Sequence, residues 1–174
     1  MSEGQQESVQ AICAKAKEVA ADLAQLSGTK RSEILVASAA ALRNQSERIL
    51  RENIKDLREA EKAGLKSSLI DRLRLNEERI EAMAEGMEQV AALPDPLAET
   101  ISAWKAPSGI DIEQVRIPIG VIGVIYESRP NVTVDVAALC LKSGNAAILK
   151  GGKEAFYSNA VLADILAEAL SAAQ

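Results

Sequence analysis

The chain has no histidine, which removes the side chain that most often serves as general base or metal ligand near neutral pH. Aromatic residues are almost missing, at 2% against 48% apolar residues overall. The core must therefore come from Ala, Leu, Ile and Val, a set that suits helices packed closely on one another and on a parallel sheet. No apolar run reaches the length of about eighteen residues that a membrane-spanning helix needs, so no membrane partner is expected. A basic tract is also lacking. Acidic and basic residues alternate, as in Arg48, Glu52, Lys55, Arg58 and Glu59, and the net charge is only −5, a pattern of solvated helix faces that argues against nucleic acid.

Cysteine is scarce too. Cys13 and Cys140 lie far apart, with neither disulfide nor zinc spacing, in apolar helical contexts with no base in view. Both read as small core residues rather than nucleophiles. The stretch from Met1 to Ser27 is too charged and Ala-rich for a secretory signal, so a reducing cytoplasm is the expected compartment. Without histidine, chemistry here has to rest on Cys, Lys, Arg, Glu, Asp or backbone groups.

At 174 residues the chain can bury one domain, or one domain with a helical appendage. Its first half is helical. Val9, Ile12, Ala16, Val19, Leu23 and Leu26 recur at spacings of three and four and share one helix face. Ser27-Gly28 closes that helix and Thr29 is placed to cap the next. The second helix is expected to run through Leu35, Leu42 and Ile49 to a stop at Gly64, and a third from an Asn76 cap through Ile80, Met83, Met87 and Val90 to the Leu93-Pro94-Asp95-Pro96 break.

Beyond Pro96 the pattern changes. Thr100–Lys105 and Ile110–Ile117 flank Ala106-Pro107-Ser108-Gly109 and predict a β-hairpin, with Trp104 as a packing or subunit-contact residue. Gly120–Tyr126 is a short apolar run, expected to be a strand buried on both faces. A helix opening at Pro130, a second buried strand over Ala146–Lys150 and a final helix over Glu154–Leu170 complete a strand–helix–strand–helix order that predicts a parallel sheet. The fold class is therefore α/β: long helices, then a hairpin, then the first half of a parallel nucleotide-binding sheet.

In such a sheet ligands bind beyond the carboxyl ends of the strands. Two loops qualify. In Lys150-Gly151-Gly152-Lys153-Glu154 the glycines let backbone approach a ligand, the helix start offers free N–H groups, both lysines favour phosphate, and Glu154 can accept from ribose hydroxyls. The spacing matches neither the P-loop nor G-x-G-x-x-G, so an ordinary Gly-rich turn fits it equally well. The other loop, Glu127-Ser128-Arg129-Pro130-Asn131, offers Arg129 as a bidentate partner for an anion and Asn131 as an amide donor. The plainer alternative is that Asn131 caps the helix and Arg129 is solvated.

The strings RIPIGVIGVIYESRPNVTVDVAALCLKSGNAAILKGGKEA and IDRLRLNEERIEAMAEGMEQVAALPDP resemble the γ-glutamyl phosphate reductases, also called glutamate-5-semialdehyde dehydrogenases, of the aldehyde dehydrogenase superfamily. The likeness extends from the first helix to the last residue and implies the N-terminal part of such an enzyme. It implies a helical opening region of the NADP-binding domain over residues 1–98, a protruding oligomerisation hairpin over 99–117 and a partial nucleotide-binding sheet over 118–174, with the catalytic domain absent. The implied reaction is NADPH-dependent reduction of L-glutamyl 5-phosphate to the semialdehyde with phosphate release, in proline biosynthesis. A cysteine thiolate of a later domain is the implied nucleophile, so this chain alone is expected to be inactive. By the same analogy Asn131 is the candidate oxyanion donor and Arg129 meets a substrate anion. Lys150 and Glu154 resemble the groups that hold the adenosine ribose, Gly151 and Gly152 belong to the same implied cofactor-binding loop, and Lys153 favours NADP over NAD. A non-catalytic oligomerisation or nucleotide-binding module is the alternative, and no metal is expected.

Overall fold

The computed structural model describes residues 8–97 and 99–172; the first seven residues and Ala98 of the expected helical region, and the last two residues of the chain, lie outside the described residues. Helix α1 (Val9–Gln25) starts at Ser8, whose hydroxyl accepts from the Ala11 amide at 3.2 Å. Helix α2 (Gly28–Asn44) is capped by Ser27, not Thr29: Ser27 has extended backbone angles and its hydroxyl accepts from Lys30 N at 3.1 Å, whereas Thr29 already lies inside the helix. The capping side chain must sit on the last non-helical residue, and that residue is Ser27.

The expected single second helix is two. Gln45 leaves helical geometry (φ −109°, ψ 19°) and separates α2 from α3 (Ser46–Lys62). Leu35, Leu42 and Ile49 still share one core across this break, because Gln45 O continues to accept from Ile49 N at 3.1 Å. Gly64, with φ +67°, ends α3 as expected. A short helix, α4 (Ser67–Leu73), follows; its pattern of charge and apolar residues did not announce it. Asn76 then caps α5 (Glu77–Ala92), accepting from Arg79 N at 2.8 Å.

Strands β1 (Thr100–Lys105) and β2 (Asp111–Val115) form the antiparallel hairpin, closed by Gly109 at φ +86°. Trp104 on β1 is half exposed. Strands β3 (Val121–Ile125) and β4 (Ala146–Lys150) pair in parallel, Val121 opposite Ala146 and Ile125 opposite Lys150. Helix α6 (Asn131–Lys142) crosses between them, and a 3-10 turn (Lys153–Ala155) leads into α7 (Phe156–Ala172). The expectation that β3 is buried on both faces fails: Ile125 is 86% exposed. Helix α1 covers the pair near Val121 and Ala146 only, and no described strand pairs with the other edge of β3. Cys13 departs from expectation as well. It is exposed on α1, which meets the sheet through Ala20 and Leu23 farther along, whereas Cys140 is buried as expected.

Helix α2 is the hub and packs against α5, α6 and α7. Its Leu35, Ala39 and Leu42 meet Met83 and Met87 of α5, Ala138 of α6, and Leu162 and Ile165 of α7. Complete burial of each such aliphatic side chain contributes about 1.5–3 kcal/mol. Polar groups inside this core are paired, with the exception of Arg31 Nε, which is buried without a partner. Lys142 Nζ donates to Ser32 Oγ at 2.9 Å and Ala91 O at 2.8 Å, tying α6 to α2 and α5. Arg31 bonds Leu26 O and Asp95 Oδ1, and Gly28 is needed beside them, since a Cβ there would lie 2.0 Å from Asp95 Oδ2.

A second polar network joins α3, the α4–α5 link and α7. Asn53, 1% exposed, donates through Nδ2 to Leu73 O and Ser158 Oγ, both at 2.9 Å, and accepts from Leu75 N at 2.9 Å. Asp56 accepts from Tyr157 N at 3.0 Å, Ser158 N at 2.8 Å and Ser158 Oγ at 2.6 Å, and so caps α7 from a distant helix. Burial pushes the Asp56 carboxyl above its ordinary range, against the pull of these donors. Asn53→Ala leaves Leu73 O and Leu75 N buried without partners, at about 1–3 kcal/mol each. It is expected to lower the urea midpoint of unfolding with an unchanged slope. A midpoint within error of the parent chain removes this role for Asn53.

Candidate functional site

Because β3 and β4 run parallel, the two loops singled out by sequence leave the sheet at the same edge. Pairing continues one residue past β3, with Tyr126 N donating to Lys150 O at 3.1 Å. Beyond that point side chains join the loops. Ser128 Oγ donates to Glu154 Oε2 at 2.5 Å, and this bond holds the Glu154 carboxyl below its usual range. Tyr126 and Thr133 share a hydroxyl contact at 2.6 Å, and Thr133 Oγ1 donates to Asn159 Oδ1 at 3.1 Å, linking the loop after β3 to α6 and α7.

The glycines have a packing role inside this arrangement. A Cβ on Gly151 would lie 2.2 Å from Asn159 Nδ2, and one on Gly152 would lie 2.1 Å from Ser128 Oγ and 3.0 Å from Ser128 N. Only glycine lets the loops approach this closely. Lys150 reaches back to Gly151 O at 3.0 Å. Among the described residues neither Lys150 nor Lys153 has an ion-pair partner, and both side chains are exposed at the sheet edge. Two free cations, with one Glu154 oxygen taken by Ser128, fit the charge of a phosphate-bearing dinucleotide.

Arg129 and Asn131 open elsewhere. They line a hollow of about 380 Å³ together with Asp71, Arg72, Arg74, Arg79 and Asp135, while Gly152, Glu154 and Ser128 line a neighbouring hollow of about 420 Å³. Arg72 borders both and pairs with Glu127 at 3.5 Å. Sequence reasoning therefore named one flank of the first hollow and missed the other, Arg72 of α4, Arg74 of the α4–α5 link and Arg79 of α5. The available signal was Leu73-Arg74-Leu75, an apolar–charged alternation that marks an extended segment with Arg74 outward. Asn131 heads α6, and its Nδ2 donates to Asp135 Oδ2 at 3.0 Å. The helix start is not side-chain capped; Pro130 fills that position with helical angles. Desolvation raises the Asp135 carboxyl above its ordinary range, and the Asn131 bond offsets part of the rise.

Cys140 sits on α6 with a thiol pushed up by burial, the opposite of a reactive thiolate. No group of acidic, Cys or His side chains able to hold a metal ion occurs among the described residues, and no described helix is long and apolar enough to cross a membrane.

Known proteins share this architecture. The chain is 56% identical over 159 residues to a γ-glutamyl phosphate reductase of Carboxydothermus hydrogenoformans, an alignment covering 91% of the chain but 38% of that relative. The crystal structure of a γ-glutamyl phosphate reductase from Thermotoga maritima superposes with a TM-score of 0.89 at 40% identity, over 91% of this chain and 38% of the other. That of the Saccharomyces cerevisiae protein gives 0.88 at 37% identity, over 96% and 43%. The helical bundle, hairpin and parallel pair thus form an aldehyde-dehydrogenase-like α/β fold, in a chain that spans about two fifths of these relatives' length. The aldehyde dehydrogenase family model matches residues 1–172, and the chain belongs to the aldehyde dehydrogenase family.

Proposed function

We propose that this chain is part of an oxidoreductase that reduces L-glutamyl 5-phosphate to L-glutamate 5-semialdehyde with NADPH, releasing phosphate, in proline biosynthesis. The observation that carries this reading is the 56% identity to a γ-glutamyl phosphate reductase; two unpaired lysines after β4 and a separate arginine-lined hollow support it.

When bound, the nicotinamide supplies the hydride. The residues here bind and orient. Lys150 and Lys153 hold anionic cofactor oxygens, Lys153 being the group that favours a 2′-phosphate, and the remaining Glu154 oxygen accepts from a ribose hydroxyl. Arg129 holds a substrate anion. Asn131, with a second amide hydrogen beyond the one given to Asp135, donates to the oxyanion on this reading. Buried Cys140 is unsuited to attack an acyl phosphate and exposed Cys13, on α1, lines neither hollow, so on this reading the nucleophile belongs to a further segment and this chain alone does not turn over. The test is phosphate-dependent NADP reduction by the semialdehyde: no rate with the 174-residue chain, and a rate with a longer protein containing it. Turnover by the short chain overturns the division of labour; none by the longer one overturns the reaction.

In that longer enzyme Lys150→Ala is expected to raise the KM for NADPH about tenfold while changing kcat less, since a lost charge-assisted contact removes roughly 1.4 kcal/mol of cofactor binding. An unchanged cofactor KM removes this role for Lys150.

The hairpin supports a second element of the proposal, self-association. Ile101, Trp104, Ile110 and Val115 are all between 48% and 62% exposed on it, apolar side chains distributed over both faces of the ribbon that a two-stranded ribbon does not need for itself. Trp104→Lys is expected to shift the protein to a smaller species in gel filtration with light scattering. A parent chain that is already monomeric sets the hairpin interface aside.

A further inference from the structure

The reading above assigns one arginine to a substrate anion and leaves the other groups of its hollow unexplained. Four arginines and two aspartates line that space: Arg72, Arg74, Arg79 and Arg129 against Asp71 and Asp135. Several cancel. Arg79 pairs with Asp71 at 3.3 Å, and Arg72 pairs with Glu127 at 3.5 Å. Arg74 and Arg129 have no ion-pair partner among the described residues, and Asp135 has only the Asn131 amide on one oxygen. Two free guanidiniums and one free carboxylate oxygen therefore face a single hollow.

Arg74 is also held ready. It sits between buried Leu73 and Leu75, 1% and 7% exposed, in an extended turn that directs it away from the core. Asn53 fixes the backbone on both sides of it, and Arg79 Nη1 donates to Arg74 O at 2.6 Å. Such backbone anchoring lowers the entropy lost when a guanidinium binds.

We propose that this hollow recognises the zwitterionic head of an α-amino acid, Arg74 and Arg129 taking the carboxylate, Asp135 the ammonium, and Leu75 and Met83 flanking the methylene chain. The proposal rests on the substrate class assigned above and specifies which end of that substrate lies here. About 380 Å³ falls within the range for small-molecule sites. A free phosphate fits less well, because Asp71 is spent on Arg79 but the unpaired Asp135 carboxylate shares the wall, would repel a dianion and would be left without a partner. The partial desolvation that raises Asp135 is what a bound ammonium relieves.

The test is a set of saturation-transfer NMR titrations of the 174-residue chain with L-glutamate, glutarate, 4-aminobutyrate and inorganic phosphate. L-Glutamate is expected to bind saturably, with glutarate (no ammonium) and 4-aminobutyrate (no α-carboxylate) at least tenfold weaker. Arg74→Gln and Arg129→Gln should each weaken glutamate tenfold or more, and Asp135→Asn should erase the preference over glutarate. All three side chains are exposed, so the variants should fold, with far-UV circular dichroism as the control. Equal affinity for glutarate, displacement of glutamate by equimolar phosphate, an unaffected Arg74→Gln variant, or no saturable glutamate signal each overturns the proposal. None of these readouts involves turnover. A longer protein without reductase activity would remove the reaction and leave the head-group site standing; a failed titration beside an active longer protein would remove only the head-group site.

Discussion

The hydrogen-bond chain Asp56–Ser158–Asn53 is the constraint on which both candidate sites depend. At one end Asp56 caps α7 through Tyr157 N and Ser158 N, fixing where the helix after the Lys150–Glu154 loop begins. At the other, Asn53 brackets Arg74 by bonding Leu73 O and Leu75 N. Ser158 Oγ joins the two by accepting from Asn53 and donating to Asp56. A side-chain amide here does the work of a neighbouring strand, satisfying a buried extended segment that has no sheet partner. Breaking such a network at any member leaves buried charged or polar atoms without partners in a low-dielectric core.

Much of this fold was legible in the sequence, for physical reasons that differ by element. Asn76, the Leu93-Pro94 break and Gly64 are local signals, and each acts where it stands. The parallel pair was legible because two short apolar runs separated by one helix length permit little else. The failures are tertiary. Gln45 breaks a helix whose heptad pattern continues unbroken, because that pattern reports a shared core and not a straight axis. Nothing local distinguishes Asn53 or Asp56 from other polar residues of a charged helix; their partners lie 20 to 105 positions away. Arg72 and Arg74, at the end of α4 and just beyond it, were missed for the same reason. Each alone reads as a solvated cation, and only the fold brings them opposite Arg129.

The exposed apolar residues have a consistent geography. Ile117, Ile119 and Ile125, 77%, 82% and 86% exposed, lie before β3 and at its end, beside a strand edge with no described partner. An open edge with uncovered isoleucines is a liability in water. On the reading proposed above it has a use, since the relatives are more than twice as long as the matched segment and further chain gives such a surface something to meet. Away from this edge α2, α5, α6 and α7 close one core.

Gly151 and Gly152 invite two interpretations, close approach of a ligand or close approach of protein, and the geometry joins them. Ser128 and Asn159 occupy the space that side chains at these positions would need, so the glycines draw the two loops together. The Ser128–Glu154 bond then spans the gap at 2.5 Å. Its members are the covalent neighbours of Arg129 and Lys153, so this one bond sets the spacing between a candidate substrate cation and a candidate cofactor cation. Because the bond lowers the Glu154 pKa, it favours the ionised form. Its contribution is fully present above the ordinary glutamate value of 4.5 and is lost only as pH falls through the lower folded value. The register between the loops is thus held across the neutral range by ionisation, and the glycines make that contact sterically possible.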